Sequence, residues 1–135
     1  MNKFKEIIKY VFWGGITTIV NWVVYALLTM CFQIMPEISN IVAWLISVIV
    51  AYFSNKVYVF KNNNEKSGIQ FFAFLSSRLF TGIIETAGLP ILIKALSLNP
   101  FLGIKSFGEK LIISILVVII NYILSKYIIF REKKR

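Results

Sequence analysis

The sequence predicts an all-α integral membrane protein of four transmembrane helices, arranged as two hairpins with both termini in the cytoplasm. Three observations predict it: an apolar composition, four long apolar runs, and the placement of the basic residues. Of 135 residues, 58% are hydrophobic and 16% are charged, whereas a soluble domain carries about a quarter charged residues. Mean hydropathy is +0.76.

A bilayer core about 30 Å thick needs about 20 apolar residues at about 1.5 Å each. Four stretches meet that length: about Tyr10–Phe32, Ile38–Phe60, Ile69–Ala95 and Leu111–Phe130. Lipid offers the backbone no hydrogen-bond partners, so each span is expected to be helical. The first follows the basic residues Lys3, Lys5 and Lys9, as a signal peptide would. Yet the whole stretch from Tyr10 to Pro36 carries no charge, and no small-residue cleavage site follows. It is long enough to span and reads as a retained helix. The second span has Lys56 near its end. The third holds Arg78 and Glu85 and is expected to bend or break at Pro90, and the fourth has Lys126 near its end. Gln33–Glu37 joins spans one and two tightly. The polar segment 61–68 (KNNNEKSG) separates hairpin one, about residues 1–61, from hairpin two, about 69–131, within a single domain. Ser97–Glu109 holds Pro100, Gly103 and Gly108 and is expected to be irregular or to dip into the interface.

Basic residues set orientation. Lys3, Lys5, Lys9, Lys56, Lys61, Lys66, Arg78, Lys126, Arg131, Lys133, Lys134 and Arg135, 12 of 15, lie on or nearest one side, and Lys94, Lys105 and Lys110 lie on the other. This places the termini in the cytoplasm and argues against nucleic-acid binding, since the charge flanks spans instead of forming a soluble patch. The absence of His and the single Cys exclude a His acid/base pair, a His metal site, an internal disulfide and a Cys cluster. Cys31 reads as a buried small residue. No enzymatic activity, cofactor or metal is expected.

The two hairpins read as copies. When span four is laid on span two, a single offset makes Tyr52 meet Tyr122, Lys56 meet Lys126, Phe60 meet Phe130 and Lys61 meet Arg131. Four matches in register favour duplication over chance collection of Lys and aromatics at a membrane face. Each hairpin starts and ends on one side, so the repeat is parallel.

At these residues the chain resembles the GtrA-like family of small four-helix membrane proteins. The resemblance rests on Gly14-Gly15 with Thr17, Thr18 and Asn21, on Asn55-Lys56 with Tyr58 and Phe60, and on Asn121-Tyr122, Ser125-Lys126 and Phe130. It implies movement of polyprenyl-phosphate-linked sugars across the membrane. The Arg78…Glu85 pair matches the branch associated with glycosylation of teichoic acids and related wall polymers.

Arg78 and Glu85 are seven positions apart, so they project within about 20° of each other on one helix face and about 10.5 Å apart along it, too far to touch. Intramembrane charges are costly unless they face protein or water. Arg78 is a candidate for a lipid phosphate, which its planar fork matches. Glu85 is a candidate for sugar hydroxyls or for a proton. The plain alternative is an ionic staple, with Arg78 snorkelling toward the cytoplasmic face. Lys56 and Lys126, beside Asn55 and Ser125, are further phosphate candidates, against a role in topology alone. Asn21, Asn55, Asn121, Tyr122 and Ser125 are candidate sugar or proton contacts. For Asn21 and Asn121, packing between helices is the leading reading and ligand contact the alternative. Small and polar residues also run along span two, as Asn40, Ser47 and Ser54 with Ala43 and Ala51. Tyr10, Trp13, Tyr58, Phe60, Tyr127 and Phe130 read as an interfacial aromatic belt.

The leading function is translocation of a polyprenyl-phosphate-linked monosaccharide. Four short helices enclose little space, so a homo-oligomer is expected. One rival is a non-catalytic adaptor that recruits a membrane glycosyltransferase. Another is a small proton-coupled exporter, which the chargeless first span disfavours.

Overall fold

The computed structural model describes residues 2–63, 67–100 and 107–131. Four helices dominate, and no strand occurs among the described residues. Helix α1 spans Lys3–Ala26, α2 Pro36–Ser54, α3 Ser67–Leu96 and α4 Phe107–Leu124. With their terminal turns all four are long and apolar enough to cross a membrane. The chain divides into two compact units at the Ser67–Gly68 junction.

Local sequence explains the helix ends. Asn2 caps α1, its side chain accepting from the Phe4 N–H at 3.2 Å, which satisfies a donor that has no partner within the helix. Pro36 opens α2 at a position where no N–H is needed, followed by Glu37 in the first turn. Gln33, Lys61 and Ser97 terminate α1, α2 and α3 in the left-handed region, with φ of 52°, 47° and 44°. None is Gly, so each carries a steric cost of roughly 1–2 kcal/mol.

Three helices end in a turn of π-helix: Leu27–Cys31 after α1, Asn55–Val59 after α2 and Ser125–Ile129 after α4. The closing bonds run from the Phe60 N–H to the Asn55 carbonyl at 2.9 Å and from the Phe130 N–H to the Ser125 carbonyl at 2.8 Å. These last two turns coincide under the alignment that sets Lys56 on Lys126. The same distortion at the same repeat position adds backbone geometry to the residue matches.

In the first unit α1 packs along α2. Ala43, Ser47, Val48, Ala51 and Ser54 of α2 are buried, because small residues let two backbones approach without stranded volume. Ser47 and Ser54 donate to the carbonyls of Trp44 and Val50 in their own helix, at 2.7 and 2.8 Å. Tyr10 packs its ring on Phe60 with centroids 6.3 Å apart, and Trp13 stacks on Tyr58 at 4.7 Å.

In the second unit α3 lies against α4. Gly88 gives a close contact there, since a Cβ on it would meet Ile113 Cδ1 at 3.0 Å. Phe74 packs on Phe130 at 6.1 Å and 51°, the geometry of Tyr10 on Phe60, which is also tilted at 51°. Aligning these pairs fixes the register of α1 on α3, so that Tyr10 corresponds to Phe74, Thr17 to Thr81 and Asn21 to Glu85. Thr17 Oγ1 lies 2.8 Å from the Gly14 carbonyl oxygen, and Thr81 Oγ1 lies 3.2 Å from that of Arg78, the same placement three residues back.

Several expectations change. α3 is not broken at Pro90 but runs through it. α4 begins one turn before the apolar run, taking Gly108, Glu109 and Lys110 into its first turn. Tyr10 and Phe130 are buried, so they serve helix packing and not an interfacial belt. Cys31 is exposed, not buried as its apolar run suggested. Lys66, Lys105, Lys133, Lys134 and Arg135, and residues 101–106 of the expected irregular segment, lie outside the described residues.

Candidate functional site

The candidate residues fall at two levels in each hairpin: the open end, near the widened turns, and the connection end. At the open end of the first unit, the turn Asn55–Val59 carries Lys56. The Lys56 ammonium donates to Ser67 Oγ at 2.6 Å and lies 5.9 Å from the Tyr52 ring centroid. Tyr52 is one helical turn earlier, and its hydroxyl donates to the Ser67 carbonyl at 2.9 Å. A fixed tyrosine thus holds the lysine near its face, a cation–π arrangement. Asn55 is buried, and its Oδ1 has no hydrogen-bond partner among the described residues.

The second unit repeats the design. Lys126, in the turn Ser125–Ile129, donates to the Tyr122 hydroxyl at 3.1 Å and lies 5.5 Å from the Tyr122 ring and 5.8 Å from Tyr127. Ser125 corresponds to Asn55. It too is buried with its Oγ unpartnered among the described residues. A buried polar atom without a partner costs roughly 1–3 kcal/mol. Both occur beside the lysines, where π-type turns are frequently found at functional sites.

Above this level in the second unit, Arg78 sets its guanidinium 4.6 Å from the Phe74 ring centroid. Phe74 is fully buried, so the arginine has a rigid platform. Gln70, one turn before Phe74, donates to the Ile129 carbonyl at 3.4 Å and fastens α3 to the widened turn. Thr81 donates to Asn121 Oδ1 at 2.9 Å, and both residues are buried. Asn121 therefore joins α3 to α4. That supports the packing reading for Asn121.

At the connection end of the second unit, Glu85 forms an ion pair with Lys110 and lies 3.5 Å from the Ser114 hydroxyl. Sequence reasoning did not single out Lys110. Its register against Glu85 depends on the connection between α3 and α4, which periodicity does not define. It also overlooked Glu109, a fully buried residue whose Oε1 accepts from the Leu98 N–H at 2.8 Å. The signal available for Glu109 was an acidic residue at a helix start. Asn21 occupies the corresponding level of the first unit and lines an open depression there.

The arrangement offers fixed cations on aromatic platforms at the open ends, and polar groups along the spans. That chemistry suits an anionic group attached to a hydroxyl-rich one. Residues 9–130 match the family model for the GtrA/DPMS transmembrane domain. The chain is 32% identical to the cell wall teichoic acid glycosylation protein GtcA of Listeria monocytogenes serovar 1/2a, over 98% of this chain and 90% of the relative. It is 34% identical to the protein of that name from Listeria innocua serovar 6a, with the same coverage. It is 30% identical to YwcD, an uncharacterized membrane protein of Bacillus subtilis strain 168, over 93% of this chain and 96% of the relative. No solved structure matches.

Proposed function

The chain belongs to the GtrA/DPMS transmembrane-domain family, a multi-pass protein of the cell membrane, and from that premise we propose that it moves a polyprenyl-phosphate-linked monosaccharide between leaflets. The sugar would then reach the face where a wall polymer such as teichoic acid is glycosylated. The names of the Listeria relatives support that process.

The physical obstacle is the headgroup. Each sugar hydroxyl taken into hydrocarbon without a partner costs roughly 2–7 kcal/mol, and the phosphate charge costs more. The polyprenyl tail can stay in lipid throughout. The protein's task is to replace water around the headgroup, which requires no bond to be made or broken. Lys56 in the first unit, and Lys126 and Arg78 in the second, are each assigned to a lipid phosphate, and Asn21 in the first and Glu85 in the second each to a sugar or to a coupled proton. Asn55, Tyr122 and Ser125 shape the lysine sites. On the cytoplasmic placement of the termini that the basic-residue bias predicts, each of these cations would stand where a cytoplasmic lipid-linked sugar loads.

The observation that carries this reading is the duplicated turn, with Lys56 and Lys126 each held one turn after a tyrosine beside a buried polar side chain. A helix anchor has no use for that construction twice. The test is lipid analysis of a deletion strain. Translocation predicts that the sugar-charged lipid accumulates while the wall polymer loses its sugar. If the charged lipid instead fails to form, the chain is an adaptor for the enzyme that makes it.

A further inference from the structure

The connection end of the first hairpin carries an open depression of about 460 Å³ lined by half-buried Asn21 and by exposed Trp22, Tyr25, Pro36, Glu37 and Asn40. Small-molecule sites occupy roughly 300–1,000 Å³. The internal repeat explains why the space is open here. In the two helix registers already fixed, Asn21 corresponds to Glu85 and Asn40 to Lys110. In the second hairpin those two positions close on each other as an ion pair. In the first, two neutral amides stand in their place.

The lining specifies a chemistry. Each amide presents two donors and one acceptor oxygen, and Glu37 adds acceptors only. Trp22 and Tyr25 supply flat apolar faces, and Tyr25 a hydroxyl. An apolar ligand would take water from the two amides and give them no partner in return, which disfavours it. An anion would face Glu37. A neutral ring bearing hydroxyls satisfies every group, since its hydroxyls both donate and accept and its C–H faces cover an aromatic ring.

We propose that this depression is a monosaccharide subsite, the station the sugar headgroup occupies at the connection end of the hairpin. It rests on the translocation reading and extends it. Asn40 and Lys56 lie on one helical run, about 24 Å apart along its axis at about 1.5 Å per residue. That exceeds the reach of a single sugar joined to its phosphate. The lysine turn and the depression therefore hold the headgroup in succession, at loading and at release.

The test uses tryptophan emission. Replacing Trp13 and Trp44 with Phe leaves Trp22 as the only tryptophan. This protein in nanodiscs is titrated with short-chain prenyl-phosphate-linked glucose, galactose and N-acetylglucosamine, with the free sugars, and with prenyl phosphate alone. At least one sugar lipid should shift Trp22 emission saturably, while prenyl phosphate alone should not. Asn40→Ala should raise the half-saturation concentration about tenfold or more. The double variant Asn21→Glu/Asn40→Lys installs the second hairpin's ion pair and should fold with the response gone. A silent Trp22 across the panel, an equal response to prenyl phosphate, or a response that survives the double variant would overturn the subsite. A free sugar binding as tightly as its lipid-linked form would overturn the headgroup assignment. Binding is read here without transport. A chain that binds sugar yet does not speed crossing defeats the translocation reading alone, and one that speeds crossing with a silent Trp22 defeats the subsite alone.

Discussion

Removing the buried contact between Thr81 and Asn121 should separate packing from ligand binding in the second hairpin. The two side chains are 1% and 6% exposed and lie 2.9 Å apart. Thr81→Val keeps the shape and deletes the hydroxyl, and Asn121→Leu keeps the size and deletes the amide. Hydrogen bonds between membrane helices average about 0.6 kcal/mol and reach about 1.7. Stranding a buried polar partner adds roughly 1 kcal/mol or more. Each single variant should therefore lose about 1–2 kcal/mol, and the double variant less than the sum, with a coupling of about 0.6–1.7 kcal/mol. Reversible unfolding in bicelles measures all four proteins. A coupling indistinguishable from zero, together with an Asn121→Leu protein that is stable but inactive, would refute the packing role and return Asn121 to the ligand.

Other outcomes follow from the remaining residues. Arg78→Ala should abolish translocation and Arg78→Lys restore only part of it, because a planar fork matches a phosphate where an ammonium does not; leaflet-exchange rates in vesicles check this. Lys56→Ala and Lys126→Ala should each slow exchange about tenfold or more, the energetic equivalent of about 1.4 kcal/mol, whereas replacement by Arg should largely preserve it. The reversed pair Glu85→Lys/Lys110→Glu should keep stability within about 1 kcal/mol of the parent, as expected for a partly exposed ion pair. If Glu85 touches the sugar or carries a proton, that stable protein should still transport poorly.

The spans were legible because a bilayer imposes length and composition on the sequence. The repeat between α2 and α4 was legible because Tyr, Lys and Phe recur at one offset. The correspondence of α1 with α3 was not, because at key positions the residue class changes: Gly14 becomes Arg78, and Asn21 becomes Glu85. Only the shared ring geometry of Tyr10 on Phe60 and Phe74 on Phe130 gives their register. The π turns leave no trace in a hydrophobic period, since one widened turn shifts the pattern by a single residue. The continuity of α3 through Pro90 was hidden because proline's preference against helix interiors is weaker within membranes, where neighbouring groups re-satisfy the freed backbone. Among the site residues, Arg78 and Glu85 stood out as charges in apolar runs. Lys110 sits at a span end, where a lysine carries no such signal.

The central claim is that this chain alone carries a lipid-linked sugar across a bilayer. The most direct measurement reconstitutes the purified protein into vesicles with a polyprenyl-phosphate-linked monosaccharide and follows the sugar's accessibility to an impermeant oxidant over time. The account predicts that the fraction oxidised climbs from the outer-leaflet share toward completion with the protein present, and stays at that share with Arg78→Ala. A plateau at the outer-leaflet share with wild-type protein of verified fold would contradict it.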